Sequence, residues 1–69
     1  MDRIAILKEL NKATKEAQKL IVSLKRSVLA LRPLPANEAT EEAIAQLRKT
    51  ADSLDRLVDA LVHMSKAIG

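Results

Sequence analysis

The chain of 69 residues has no cysteine, no phenylalanine, tyrosine or tryptophan, one glycine, two prolines and one histidine. Each shortage removes a class of solution. Without cysteine there are neither disulfides nor thiolate metal sites, and His63 alone cannot build an ordinary zinc site. Without aromatics there are no rings on which bases could stack. In a chain this short one hydrophobic core rarely supplies more than about 3–5 kcal/mol unless something staples it. With covalent and metal staples missing, association with further chains is the remaining route. The opening Met1-Asp2-Arg3-Ile4 has no uninterrupted apolar segment and no small-residue cleavage site, so neither a signal peptide nor a membrane span is expected, and the expected compartment is the cytoplasm.

What is present is helix-forming sequence. From Arg3 to Leu31 there is no Gly or Pro, and Leu, Lys, Ala, Glu and Gln dominate. Asp2 is the candidate N-cap. With Leu7 at heptad position a, Leu7, Thr14, Ile21 and Val28 occupy a; Leu10, Ala17, Leu24 and Leu31 occupy d; Ile6, Ala13, Leu20 and Ser27 occupy g. Pro33 and Pro35 cannot lie inside a helix and push the residues before them toward extended geometry, so the first helix must end by Leu31 or Arg32. After this connector, about residues 32–37, Asn37 is the candidate cap, with Thr40 competing. Glu38, Glu41 and Glu42 put negative charge where a helix N-terminus favours it. A second helix, about residues 38–68, repeats the layout: Ile44, Ala51, Val58 and Ser65 at a, Leu47, Leu54, Leu61 and Ile68 at d, Ala43, Thr50, Leu57 and Met64 at g. Twenty of these twenty-four positions are apolar, and the other four are Thr or Ser. A solvated surface does not carry that pattern, and a g/a/d face is wider than a two-stranded seam.

The chain is therefore expected to be all-α, a single domain of two long antiparallel helices. A short connector brings residues whose numbers sum to about 71 to one level. Small then meets large: Ala13, Thr14 and Ala17 face Leu54, Leu57 and Val58, while Thr50 and Ala51 face Leu20 and Ile21. One hairpin covers only part of each wide face, and monomers rarely tolerate a long exposed apolar strip. A homodimeric four-helix bundle closes it, with Leu7, Leu10, Ala17, Ile21, Leu24, Val28, Leu47, Ala51, Leu54, Val58 and Leu61 as the expected oligomer core; a trimer of hairpins is the alternative.

Charge is uneven within the net +3. Residues 1–32 hold eight Lys/Arg against three acids, and residues 33–69 hold four against six. Lys8, Lys12, Lys15, Lys19 and Arg26 recur at helical spacing away from the apolar stripe. This ridge is either a solvated face with Lys12–Glu16 and Glu9–Lys12 pairs or a track for phosphates or an acidic protein. A second feature is apolar and lies off the core stripe: Val22 and Leu29 at position b, with Leu34 in the connector, beside Lys25, Arg26 and Arg32. Apolar anchors with an Arg rim suit a protein interface. Local packing of the connector is the competing explanation. Asp52, Asp55 and Asp59 line one side of the second helix with Arg48, Lys49 and Arg56 within a turn, which makes surface ion pairs the better reading than a cation site. His63, at position f, reads as a solvated side chain near a helix C-terminus. No Ser or Thr has a neighbouring base, so no nucleophile is expected. No catalytic, metal or cofactor site is expected.

In layout the chain is similar to the Rop-type RNA-binding helical hairpin, itself a dimeric four-helix bundle with a basic outer face, although this chain has a proline connector and no Phe or Cys. In length and hairpin layout it also resembles the phage-encoded anti-activators that bind a quorum-sensing transcription factor and a pilus-assembly ATPase. That resemblance implies occlusion of a host regulator's functional surface. The leading expectation is thus a non-enzymatic homodimer that inhibits or recruits another cytoplasmic protein, with Val22, Leu29 and Leu34 as anchors and Lys25, Arg26 and Arg32 as orienting charges. RNA or DNA binding through the Lys ridge is the alternative. A designed bundle without a biological partner is a third; the complementary layers fit it, while the irregular connector and the Ala, Ser, Thr and Asn on the outside are less idealised than design favours.

Overall fold

The computed structural model describes residues 2–69, which form two helices, α1 (Arg3–Leu31) and α2 (Glu38–Ile68), and no strand among the described residues. Their ends follow local chemistry. The Asp2 side chain accepts from the backbone N–H of Ile4 at 3.2 Å and begins α1. Arg32 closes α1, its N–H reaching the carbonyl of Val28, before Pro33 and Pro35 prevent continuation. The Asn37 Oδ1 accepts from the N–H of Thr40 at 2.9 Å, so Asn37 is the cap and Thr40 a half-buried residue of the first turn. Glu38 and Glu41 stand in that turn. Glu42 lies just beyond it, where it accepts a hydrogen bond from Gln46 at 3.1 Å.

The helices run side by side and antiparallel. At 1.5 Å per residue each is about 45 Å long, and the hairpin measures 52 × 15 × 14 Å. Its open end is tied by Arg3, whose Nε donates to the carbonyl of Ile68 at 2.9 Å and whose Nη2 donates to the carbonyl of Gly69 at 3.1 Å. These bonds place a cation on otherwise unpaired carbonyls at a helix C-terminus. They agree with a register in which numbers at one level sum to about 71, since 3 and 68 sum to 71 and 3 and 69 to 72.

The seam between α1 and α2 is made by positions a and d. All sixteen of those residues are buried or half-buried, whereas seven of the eight at g are exposed, Ile6 being the exception. Each of the eleven residues expected in an oligomer core thus already faces the other helix of its own chain. Yet only Ala17, Ile21, Val28 and Ala51 are buried outright, and two of those four are alanines. The long shape is the reason. A compact 69-residue domain has a radius of gyration near 11 Å, against 15.9 Å here. A globular monomer of 7.6 kDa exposes about 4,300 Å², against 5397 Å² here. The hairpin therefore presents roughly 1,100 Å² more surface than its mass requires.

With so thin a seam, Ile21→Ala is expected to cost about 2–5 kcal/mol and leave the chain largely unfolded by far-ultraviolet circular dichroism. Asn37→Ala is expected to cost about 1 kcal/mol, lowering the melting midpoint by about 4–8 °C with the helix content of the folded state unchanged.

Candidate functional site

The seam divides the hairpin into two unlike sides. Successive residues turn 100° around a helix, so position g lies on one side of the a/d line and position e on the other. In an antiparallel pair the two g rows share a side, and so do the two e rows. Position c extends the g side outward and position b extends the e side.

The g/c side is poor in charge. Along α2 its rows, running from Ala39 to Ala67, contain no charged residue, and along α1 they contain only Glu9 and Glu16. Leu20, Leu57 and Met64 stand on this side at 50%, 46% and 51% exposure. Three of its hydroxyls are turned inward: Ser27 donates to the carbonyl of Ser23 at 3.0 Å, Thr50 to that of Gln46 at 2.8 Å and Ser53 to that of Lys49 at 3.1 Å. Donors satisfied within their own helix make a surface behave as more apolar than its composition suggests.

The e/b side is charged and holds a groove. Near the connector, Leu24, Val28, Leu47 and Ala51 of the seam, together with Leu29, line an interhelical groove of about 370 Å³. Lys25, Arg32 and Arg48 supply three cations at its edge and Asp52 one carboxylate. Leu29 is 58% exposed there. Leu29, Lys25 and Arg32 are thus brought together as one site. Val22 and Arg26 are not part of it: with Lys15, Gln18, Lys19 and Ser23 they line a shallow depression on the outer face of α1. Leu34 is half-exposed in the connector turn, where its N–H donates to the carbonyl of Leu31 at 3.1 Å, and it lines neither feature. The six expected partner residues are therefore divided between two adjacent features and the turn.

Arg48 and Asp52 are the groove residues that sequence reading assigned to a surface ion-pair row instead. For Arg48 a partial signal was available, because its position e shares a side with position e of α1, where Lys25 and Arg32 stand; Asp52, at position b, gave none. Along α1 the ridge residues Lys8, Lys12, Lys15, Lys19 and Arg26 are all exposed, as are Asp52, Asp55 and Asp59 on α2. Among the described residues no cluster of three His or carboxylate groups could hold a metal ion, and no helix is long and apolar enough to cross a membrane. His63 is exposed, and its Nδ1 lies 2.8 Å from the backbone carbonyl of Asp59, which requires the proton on Nδ1. Its partner is thus the main chain of Asp59 and not the carboxylate.

If Leu29 belongs to a surface site, Leu29→Ala should change stability by less than about 0.5 kcal/mol, while its buried neighbour Val28→Ala should cost about 2 kcal/mol. Chemical denaturation of the two variants measures the contrast, and a loss at Leu29 equal to that at Val28 would return it to the core. No protein-family model, curated protein or solved structure matches the chain.

Proposed function

We propose that the protein is a non-enzymatic, homodimeric regulator that binds another protein at the connector end of the hairpin and acts by covering that partner's functional surface. The observation that carries this reading is Leu29, a large apolar side chain more than half exposed beside an apolar groove with Lys25, Arg32 and Arg48 at its edge. Interface hot spots combine apolar anchors with Arg and a desolvated pocket. Three cations against one carboxylate suit a partner segment that is apolar on one face and acidic on its flanks, such as an amphipathic helix laid between α1 and α2. Val22, one depression away and ringed by Lys15, Lys19 and Arg26, extends the same chemistry along α1. Occlusion needs only binding, and a 69-residue chain without a catalytic constellation suits it.

Dimerisation is supported by the thin seam and by the excess of surface, since about 800 Å² per partner is what a stable association usually buries. The melting midpoint should therefore rise with protein concentration. A monodisperse monomer with a concentration-independent midpoint would refute the dimer.

For the partner site, Val22→Asp with Leu29→Asp should leave helix content and oligomeric state unchanged. The wild-type protein, immobilised and exposed to extract of its source cell, should retain a specific protein that the double variant releases. Equal retention by both would sink the assignment of these residues. The continuous exposure of Lys8, Lys12, Lys15, Lys19 and Arg26 favours a second reading, nucleic-acid binding. It predicts affinity for an RNA hairpin or duplex DNA falling by about one log unit per log unit of salt for each phosphate neutralised, and the absence of any mobility shift at low salt rejects it.

A further inference from the structure

We propose that the g/c side of the hairpin is the docking face for a second copy of this chain, and that the two copies pack with their connectors at opposite ends. This rests on the homodimer proposed above and adds the face and the direction.

The face is of the right size and chemistry. One long side of a body measuring 52 × 15 Å is about 780 Å², next to about 800 Å² per partner in a standard interface. Its centre is free of charge, as interface cores are, and the hydroxyls of Ser27, Thr50 and Ser53 already donate within their own helices, so burial strands none of these three donors. The opposite side carries the groove and its cations, whose desolvation between two identical surfaces would bring like charges together.

Direction follows from the shape of the g rows. Across the seam they pair, within one residue of the register seen at Arg3, as Ile6 with Met64, Ala13 with Leu57, Leu20 with Thr50 and Ser27 with Ala43. The face is therefore bulky at the end of the chain termini and lean at the connector end. Two copies stacked with connectors together would set Ile6 on Met64 and Ser27 on Ala43, large on large at one end and a gap at the other. Reversal about a two-fold axis across the middle of the helices instead sets Ile6 over Ser27, Leu20 over Ala13, Leu57 over Thr50 and Met64 over Ala43. Every large residue then meets a small one, which keeps packing density constant along the interface. The same reversal brings Glu9 within two residues of the level of Arg26 at the rim, while Glu16 comes within one residue of its own copy and two of Lys19, so direction rests on the packing of the g rows and not on these charges.

Because the chain has no cysteine, a nitroxide on Ala36→Cys, an exposed connector position, reports direction without background labelling. Double electron–electron resonance should give one intermolecular distance of about 45 Å, the length of a helix at 1.5 Å per residue. A distance within about 20 Å, two helix spacings, would overturn the opposed arrangement while leaving the dimer standing. No dipolar signal at concentrations far above the melting transition's dependence would overturn the dimer itself. The face is tested separately. Leu20→Asp with Leu57→Asp should convert the dimer to monomer or unfolded chain in sedimentation, and a variant that stays fully dimeric would reject this face. The spin-label distance does not depend on that variant folding.

Discussion

Two helices placed side by side share one seam, and in this protein the apolar stripe on each is wider than a seam. Positions a and d of α1 and α2 meet and are shielded, while the g rows are left beside the seam in water. Most of what is distinctive about the molecule follows from that mismatch. The core is thin because only one line of residues can be covered from each side. The surface is large because a 52 Å rod encloses little volume. In a chain without cysteine, and so without a disulfide to compensate, this leaves stability dependent on a few buried side chains such as Ile21 and Val28.

The seam also sorts the rest of the surface. One flank, with Leu20, Leu57 and Met64, has apolar and small residues and hydroxyls bonded back to their own helices. The other has Lys25, Arg32, Arg48 and Asp52 around a groove with Leu29 at its edge. Such a division permits one flank to be buried by a like surface while the other stays available to an unlike one. In the proposed assembly both grooves face outward, at opposite ends of the dimer, so two partner segments could be held at once without either copy giving up its self-association.

Much of the fold was legible from local chemistry. Pro33 and Pro35 force a break, Asn37 caps the helix that follows, and the heptad pattern identifies the faces, because each depends on residues within a turn or two of one another. The site was legible only in pieces. Val22, Leu29 and Leu34 stand out as apolar residues off the stripe, yet the structure divides them: Val22 lies on the outer face of α1, Leu29 at the groove and Leu34 in the turn. Spacing along one helix cannot reveal a groove whose other wall belongs to the second helix.

The sequence by itself determined the two helices, where they break, and the presence of more apolar surface than a pair of helices can cover. Periodicity and capping are short-range and need no knowledge of the partner element. Only the tertiary structure decided which part of that surface the hairpin covers and what stands beside it. Register between α1 and α2, held at one end by Arg3 on the carbonyls of Ile68 and Gly69, brings Arg48 and Asp52 next to Lys25, Leu29 and Arg32 and leaves the g rows together on the opposite flank. That outcome depends on which residues of two distant segments come to the same level, a relation set by packing and not by neighbours along the chain.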